Sequence, residues 1–244
     1  MFALVPCAGV GARAGGRLPK QYQSVAGKPM IEHSLRALQA VERLHRILVV
    51  LAPDDSLFPP NLADLAQTHV CYQGGATRAD TVRNGLQVLQ QMGCQPNDWV
   101  LVHDAARCLI RPEWINRLMD ACQSDAVGGL LATPVADTLK SASAQLPTLS
   151  PAPLSNQSAI GQPARVRATV SREDKWAAQT PQMFRWGMLN KALAQAAERN
   201  QLITDESSAM EALGYAPILV HGALENFKVT YPDDFALAEV ILRR

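Results

Sequence analysis

A glycine-rich stretch near the start of the chain, Cys7-Ala8-Gly9-Val10-Gly11-Ala12-Arg13-Ala14, is followed by two more cations, Arg17 and Lys20. Glycines let backbone amides approach a bound anion, and amides together with a guanidinium make a phosphate site. The competing reading is a plain tight turn with solvated cations. The spacing Gly9-x-Gly11-x-x-Ala14 also fits the dinucleotide pattern, but that pattern needs a helix to begin inside the motif. Here Gly15-Gly16 and Pro19 interrupt, helical spacing resumes only near Met30, and no acidic residue closes a second strand at the right distance. A P-loop fails as well: Gly27-Lys28 is followed by Pro29, and Tyr22 stands where the upstream glycine is required. What remains is a long loop able to wrap a triphosphate. Leu18-Pro19-Lys20-Gln21-Tyr22 stiffens its return, because proline fixes its own φ and restricts the residue before it.

Such a loop needs a rigid mount. Phe2-Ala3-Leu4-Val5, Ile47-Leu48-Val49-Val50-Leu51 and Trp99-Val100-Leu101-Val102 are short apolar runs of the kind that form buried strands, with Val70-Cys71-Tyr72 a weaker one and Gly128 to Val135 strand-like. Between them, Met30 to Ala40 carries Ile31, Leu35 and Leu38 on one face, and Arg78 to Met92 carries Val82, Leu86 and Leu89. Pro112 suits the first turn of a helix bearing Trp114, Ile115, Leu118 and Met119. Asp54-Asp55-Ser56 favours a turn or helix start, and helices and strands alternate again after about residue 185. This alternation predicts an α/β fold with a parallel sheet covered on both faces. Ser141 to Pro163 breaks the rhythm: it is poor in large apolar residues and reads as a loop or an arm ordered by a partner.

Bulk properties narrow the function classes. At 244 residues with 48% hydrophobic and 18% charged residues, the chain can bury a substantial core. A net charge of +1 offers no electrostatic footprint for nucleic acid or an anionic membrane, so phosphate binding must rest on a few placed cations and amides. Cys7, Cys71, Cys94, Cys108 and Cys122 are scattered with no C-x-x-C pair, which argues against disulfides or zinc and for a reducing cytoplasm. No signal peptide and no bilayer-spanning run is present.

The ordered set of motifs is more specific than any member. Ala8-Gly9-x-Gly11-x-Arg13, Pro19-Lys20-Gln21-Tyr22, Gly74-Gly75-x-x-Arg78-x-Asp80-Thr81-Val82 and Val102-His103-Asp104-Ala105-Ala106-Arg107 resemble the 2-C-methyl-D-erythritol 4-phosphate cytidylyltransferase family. So do Asp137-Thr138-x-Lys140, Thr180-Pro181-Gln182, Thr204-Asp205-Glu206-x-Ser208-Ala209 and Asn226-x-Lys228-Val229-Thr230. The resemblance implies a doubly wound, mostly parallel, Rossmann-like nucleotidyltransferase fold in one domain, 1–244, with an inserted dimerisation arm at about 138–171. It implies that CTP and 2-C-methyl-D-erythritol 4-phosphate are joined to give 4-diphosphocytidyl-2-C-methyl-D-erythritol and pyrophosphate, in the non-mevalonate route to isoprenoid precursors, by a homodimer whose arms reach over each partner. It implies roles: Arg13 and Lys20 as transition-state stabilisers, and Arg172 and Lys228 as residues that position the acceptor phosphate. Thr81 would hold cytosine with backbone around Pro6, Cys7, Ala8, Gly9 and Gly11 and around Gly74 to Ala76. Asp104, Ala105 and Arg107 would lie beside ribose, metal and acceptor, and Thr138 and Thr180 would touch the methylerythritol phosphate. The chain departs from the family at Cys7 (usually Ala), Cys108 (commonly Pro), Glu225 (usually Asp), and in a longer arm.

The residues suit that chemistry. A phosphate oxygen attacking an α-phosphorus is already anionic, so no general base is required, and the motifs hold no convincing Ser-His-Asp or Cys-His set. Two anions must meet, which makes cations and a metal the catalytic currency. Asp104, just past a buried strand, could bind Mg²⁺ directly or through water, with most ligands coming from the triphosphate; otherwise it is a cap or turn residue. Lys228, in the apolar stretch Phe227 to Val229, reads as strand-like and in need of an anionic partner. Thr204-Asp205-Glu206 reads as a helix cap followed by acids in the first turn. His103 reads as structural, the other histidines as surface or supporting groups, and Trp176 and Trp186 as packing residues. A cytidylyltransferase for another polyol phosphate, a dinucleotide oxidoreductase and a non-catalytic nucleotide sensor are the rivals. The chain ends soon after its last predicted helix, so a fused second enzyme is not expected.

Overall fold

Phe2-Ala3-Leu4-Val5 has no polar face to offer water, and it lies at the centre of a sheet, buried on both sides. The computed structural model describes residues 1–9, 11, 14, 18–143 and 165–244. In chain order the first half comprises β1 (Phe2–Pro6), a 3₁₀ turn (Lys20–Tyr22), β2 (Ser24–Val25), β3 (Lys28–Pro29), α1 (Met30–Gln39), β4 (Arg46–Val50), α2 (Pro60–Ala63), β5 (Thr68–Cys71), α3 (Arg78–Gln91), β6 (Trp99–Val102) and α4 (Pro112–Cys122). The second half comprises β7 (Gly128–Pro134), β8 (Leu139–Ala142), β9 (Val166–Val170), β10 (Trp176–Arg185), α5 (Trp186–Glu198), α6 (Glu206–Ala212), β11 (Ile218–His221) and α7 (Pro232–Leu242).

Seven strands form one sheet in the order β11-β7-β10-β6-β1-β4-β5. All neighbours are parallel except where β10 lies antiparallel between β6 and β7. Leu4 sits opposite both Leu48 and Val102, so the three apolar runs read from sequence are the three adjacent central strands. Alternate residues of these strands feed different layers. Ala3, Val5, Ile47 and Val49 pack with Ile31, Leu35 and Leu38 of α1 and with Ile115, Leu118 and Met119 of α4. Phe2, Leu4, Leu48 and Val50 pack with Val82, Leu86 and Leu89 of α3 and with α5 and α6. Each fully buried Leu or Ile contributes about 1.5–3 kcal/mol over leaving it exposed; that term, more than helix propensity, holds these helices on the sheet. A third, smaller cluster, including Met30, Cys108, Val229 and Ala238, lies under α7.

The expected doubly wound architecture is present, and the differences have local causes. The strand expected at Val70–Tyr72 runs Thr68–Cys71, and the helices expected to reach Ala40 and Met92 end one residue earlier. Lys228 is not in a strand: it lies in irregular chain between β11 and α7. Asp205, not Thr204, is the N-cap of α6, because its carboxylate accepts the Ser208 N–H while the Ser208 hydroxyl reaches back, an Asp-x-x-Ser capping box. The arm expected at 138–171 shows β8 and β9 as an antiparallel hairpin; 144–164 lie outside the described residues.

Gly85 sets how closely α3 approaches β1. A Cβ there would lie 2.7 Å from Leu4 Cδ1 and 2.8 Å from Val50 Cγ2, both on central strands. Alanine gains about 1 kcal/mol of helix propensity, but overpacking costs about 1–3 kcal/mol, and the Leu4 and Val50 side chains it meets are fully buried in the core. Gly85→Ala is therefore expected to lower the melting temperature by about 2–4 °C, read by differential scanning calorimetry; a rise would show that the helix moves outward at no cost.

Candidate active site

Chain reversal between neighbouring strands creates a crevice. From β1 the chain moves outward to β4 and β5, then returns to place β6 on the other side of β1. Ligands of open α/β sheets bind at such a switch point, beyond the carboxyl ends of the strands. A cleft of about 250 Å³ opens there, walled by the segment after β1 (Pro6, Cys7, Ala8, Gly9), the segment after β6 (Asp104, Ala105, Ala106) and the start of α3. Gly11, Lys20, Ala76, Thr81 and Lys228 also face it.

Close backbone packing shapes the walls. Gly74 donates its N–H to the Leu51 carbonyl at 2.7 Å, and a Cβ there would lie 2.3 Å from that of Ala8, so no side chain fits between the two loops. The Thr81 hydroxyl accepts the Gly75 N–H and donates to the Thr77 carbonyl, both at 3.0 Å, tying the 74–77 turn to α3. The Lys20–Tyr22 turn is fastened at each residue. Lys20 Nζ donates to the Val229 carbonyl at 2.9 Å, Gln21 Nε2 to the Cys7 carbonyl at 3.1 Å, and the Tyr22 hydroxyl to Asp55 Oδ2 at 2.7 Å. Gly11 packs on this mount: its φ is +65°, and a Cβ would lie 2.5 Å from Lys20 Cβ. The positive φ disfavours an L side chain, and the close approach to Lys20 leaves no room for one. Cys7 faces the cleft, but burial raises its thiol pKa and keeps it neutral and unreactive.

Asp104 is the centre of the charge arrangement. Its Oδ1 accepts Arg78 Nε at 2.8 Å and its Oδ2 accepts Lys228 Nζ at 2.6 Å. Arg78 in turn places its Nη1 and Nη2 on the two oxygens of Glu206 at 2.7 and 3.0 Å. Burial works to raise the Asp104 pKa, but Arg78 and then Lys228 outweigh it and hold the carboxyl well below the usual range. Burial likewise works to lower the Arg78 pKa, and Glu206 and Asp104 more than offset it. The carboxylate is thus a fixed anion at neutral pH.

A second cavity, also about 250 Å³, adjoins the first and shares Arg78, Asp104 and Lys228 with it; Arg107, Gln179, Thr180 and Gln182 help to complete its wall. The bulge in β10 between Ala178 and Gln182 delivers Thr180. His103 Nε2 lies 3.3 Å from the Arg107 carbonyl, which can only accept, so Nε2 carries the proton and Nδ1 accepts from the Thr180 hydroxyl at 3.1 Å. Thr180 Oγ1 also accepts the Asp104 N–H at 3.0 Å. Arg107 donates to the carbonyls of Asn226 (2.7 Å) and Ala178 (3.0 Å), its buried Nε has no partner, and it makes no ion pair among the described residues. Burial lowers its pKa, and the Asp104 carboxylate, too far away to form an ion pair, only partly offsets that.

The structure therefore gathers most of the residues read from sequence. Pro6, Cys7, Ala8, Gly9, Gly11, Lys20, Ala76, Thr81, Asp104, Ala105 and Lys228 line the first cavity, with Gly74 packed behind it. Arg107 and Thr180 line the second. Arg13 lies outside the described residues. Thr138 and Arg172 are exposed at the base of the β8–β9 hairpin and line neither cavity; Arg172 donates to the Ala136 carbonyl. Sequence reasoning quoted Arg78 and Gln182 within motifs but gave them no role, and it missed the buried role of Glu206. A signal existed for one of them: Arg78 is the first residue of α3 after the Thr77 cap, where a cation opposes the helix dipole.

A doubly wound α/β sheet with paired cavities and a cluster of cations at its switch point fits a nucleotidyltransferase. The model of the 2-C-methyl-D-erythritol 4-phosphate cytidylyltransferase family matches residues 1–244, and the chain belongs to that family. It is 47% identical over 244 residues, covering 100% of this chain and 96% of the relative, to a protein of that name from Paraburkholderia phytofirmans. It is 54% identical over 241 residues to a bifunctional enzyme IspD/IspF from Albidiferax ferrireducens, of which it spans about half the length (52%). A crystal structure of 4-diphosphocytidyl-2C-methyl-D-erythritol synthase has a TM-score of 0.80 at 37% identity, covering 99% of this chain and 97% of that one. The Francisella tularensis 2-C-methyl-D-erythritol 4-phosphate cytidylyltransferase gives 0.78 at 30% identity, covering 98% of each chain.

Burial of the His103 imidazole lowers its pKa from 6.5 to about 4. The unfolded chain then binds this proton first as pH falls, so stability is lost progressively between about pH 6.5 and pH 4. A shift of that size corresponds to roughly 3 kcal/mol. Asp104 acts only below this window, because its stabilisation is complete above the ordinary carboxylate pKa. Urea midpoints measured without nucleotide are expected to fall across pH 6.5 to 4, with Thr180 and the second cavity first to disorder; a flat profile would place His103 in a solvated site.

Proposed function

We propose that the protein transfers CMP from CTP to 2-C-methyl-D-erythritol 4-phosphate, releasing pyrophosphate, in the non-mevalonate route to isoprenoid precursors. The supporting observation is that two adjoining cavities share one charged wall: Arg78, Asp104 and Lys228 face both. A nucleotide in the first and a phosphorylated acceptor in the second would meet at that wall. An acceptor phosphate oxygen attacks the α-phosphorus, the bond from that phosphorus to the bridging oxygen breaks, and pyrophosphate leaves. No proton needs to be removed from the nucleophile. The barrier is charge repulsion and alignment, and one placed cationic donor contributes roughly 3 kcal/mol against it.

The roles in this reading are supported by which residues line each cavity. The backbone amides of Gly9 and Gly11 and the Lys20 ammonium serve the triphosphate; the sequence assigns Arg13, which lies outside the described residues, to the same task. Lys228 serves the α-phosphate and the incoming acceptor. Arg107, which lines the second cavity and makes no ion pair among the described residues, serves the acceptor phosphate, with the polyol near Thr180. Backbone at Pro6 to Gly9 and at Gly74 to Ala76, braced by Thr81, serves the cytosine and ribose.

Magnesium is part of this reading. Among the described residues no cluster of three or more His, Cys, Asp or Glu side chains could cage a metal. Among the described residues Asp104 is the single carboxylate facing the first cavity, and each of its oxygens accepts one cationic donor, which leaves one lone pair on each. That suits an ion that takes one protein carboxylate and draws its remaining ligands from phosphate and water. Bound there, it would neutralise charge developing on the phosphates.

Two copies complete the acceptor site in this reading. The β8–β9 hairpin exposes every residue of β9, including the apolar Val166 and Val170. Resting on a second copy, it would cover them and bring Thr138 and Arg172 to the other subunit's acceptor. The five free thiols suit a reducing cytoplasm, and among the described residues no helix is long and apolar enough to cross a membrane.

Pyrophosphate release with CTP, Mg²⁺ and 2-C-methyl-D-erythritol 4-phosphate is expected, with ATP, GTP, UTP and ribitol 5-phosphate as poor replacements. Lys20→Ala is expected to cut kcat on the order of 10²–10³-fold with the fold intact by circular dichroism. Gly11→Ala, which must displace the Lys20 side chain, should lose activity in the same direction. Turnover only with a different acceptor would overturn the substrate assignment, and wild-type rates in Lys20→Ala would overturn the role of that residue.

A further inference from the structure

Glu206 faces neither cavity, yet it is a carboxylate only 1% exposed, and a buried charge is costly unless something requires it. Its surroundings hold it rigidly. The Asp205–Ser208 capping box fixes the first turn of α6. Gln182, from β10, accepts the Ser207 N–H at 2.7 Å and donates to Asp205 Oδ2 at 2.8 Å. The α6 start is therefore bolted to the strand that also carries Thr180.

From that mount, Glu206 occupies the fork of Arg78. A guanidinium offers its strongest, two-bond face to a single carboxylate when it can. Here both Nη atoms are taken by Glu206, and only the single Nε–H reaches Asp104, on Oδ1. Asp104 Oδ2 is thereby left to Lys228. We infer that Glu206 is a positioning residue for nucleotidyl transfer: by occupying the Arg78 fork it prevents Arg78 from chelating both oxygens of Asp104, and so keeps Lys228 at the junction of the two cavities. The inference rests on the functional reading above, and it has a structural readout independent of that reading.

The test is Glu206→Gln, which keeps the shape but presents an NH₂ donor to part of the Arg78 fork. Its crystal structure is expected to show Arg78 Nη atoms on both Asp104 oxygens and Lys228 Nζ displaced from Oδ2. In turnover, kcat is expected to fall about a hundredfold with a much smaller change in KM for CTP, the mark of lost alignment rather than lost binding. In an Arg78→Lys background, which has no fork to misdirect, adding Glu206→Gln should cost little further. A full additional loss there would mean that Glu206 merely stabilises α6 and would overturn the inference. So would an unchanged Arg78–Asp104–Lys228 arrangement in the crystal, or wild-type kcat. If Glu206→Gln does not fold, Glu206→Asp, which keeps the charge but is one methylene too short to fill the fork, is expected to show the same rearrangement; an unchanged arrangement there sinks the idea equally. Wild-type protein that released no pyrophosphate would count against the proposed function alone, because the structural comparison decides the role of Glu206 regardless.

Discussion

Asp104 presents one oxygen to Arg78 and the other to Lys228, and the site is arranged around that division. Two cations near one carboxylate keep it ionised, and the carboxylate keeps two cations close together without driving them apart. Each partner alone would be a liability in a partly buried cleft. Together with Glu206 they form an alternating chain of charge that sums to zero in the free protein. Anionic substrates then find cations already in place, so little reorganisation is needed when charge develops on phosphorus.

The sheet explains why this chain of charge sits where it does. β1 and β6 are neighbours, yet the chain travels out to β5 and back between them. That detour leaves no crossover covering the carboxyl ends of β1 and β6, and the segments after those strands face each other across open space. The glycine turn approaches from one side and Asp104 from the other. Close packing makes the approach tight: Gly74 against Ala8, Gly11 against Lys20 and Gly85 against Leu4 are positions where even one extra carbon lies under 3 Å from a neighbour.

Antiparallel β10 joins the two halves. It pairs with β6 beside the first cavity and with β7 on the far side, and its bulge turns Thr180 and Gln182 to different tasks. Thr180 closes a chain of hydrogen bonds from His103 to the Asp104 backbone, while Gln182 secures α6. One irregularity in a strand thus orients the backbone of the central carboxylate from one direction and its guanidinium partner from the other.

By itself the sequence determined the local elements and pointed to a glycine-rich segment after the first strand as lining a cavity. Phe2–Val5, Ile47–Leu51 and Trp99–Val102 are apolar throughout, and only a strand covered on both faces can satisfy them. Gly9, Gly11 and Pro19 mark the end of the first strand by their types alone. The ordered motifs named the residues around both cavities. Pairing across the fold was decided only by tertiary structure. Arg78 meets Glu206 across 128 positions and Lys228 meets Asp104 across 124. A charged side chain carries no local mark of its partner, because Coulomb attraction and hydrogen-bond geometry act through space and depend on which strands the topology makes neighbours. Lys228 read as a strand residue for the same reason: its apolar flanks, Phe227 and Val229, pack against a cluster under α7 that periodicity along the chain does not show.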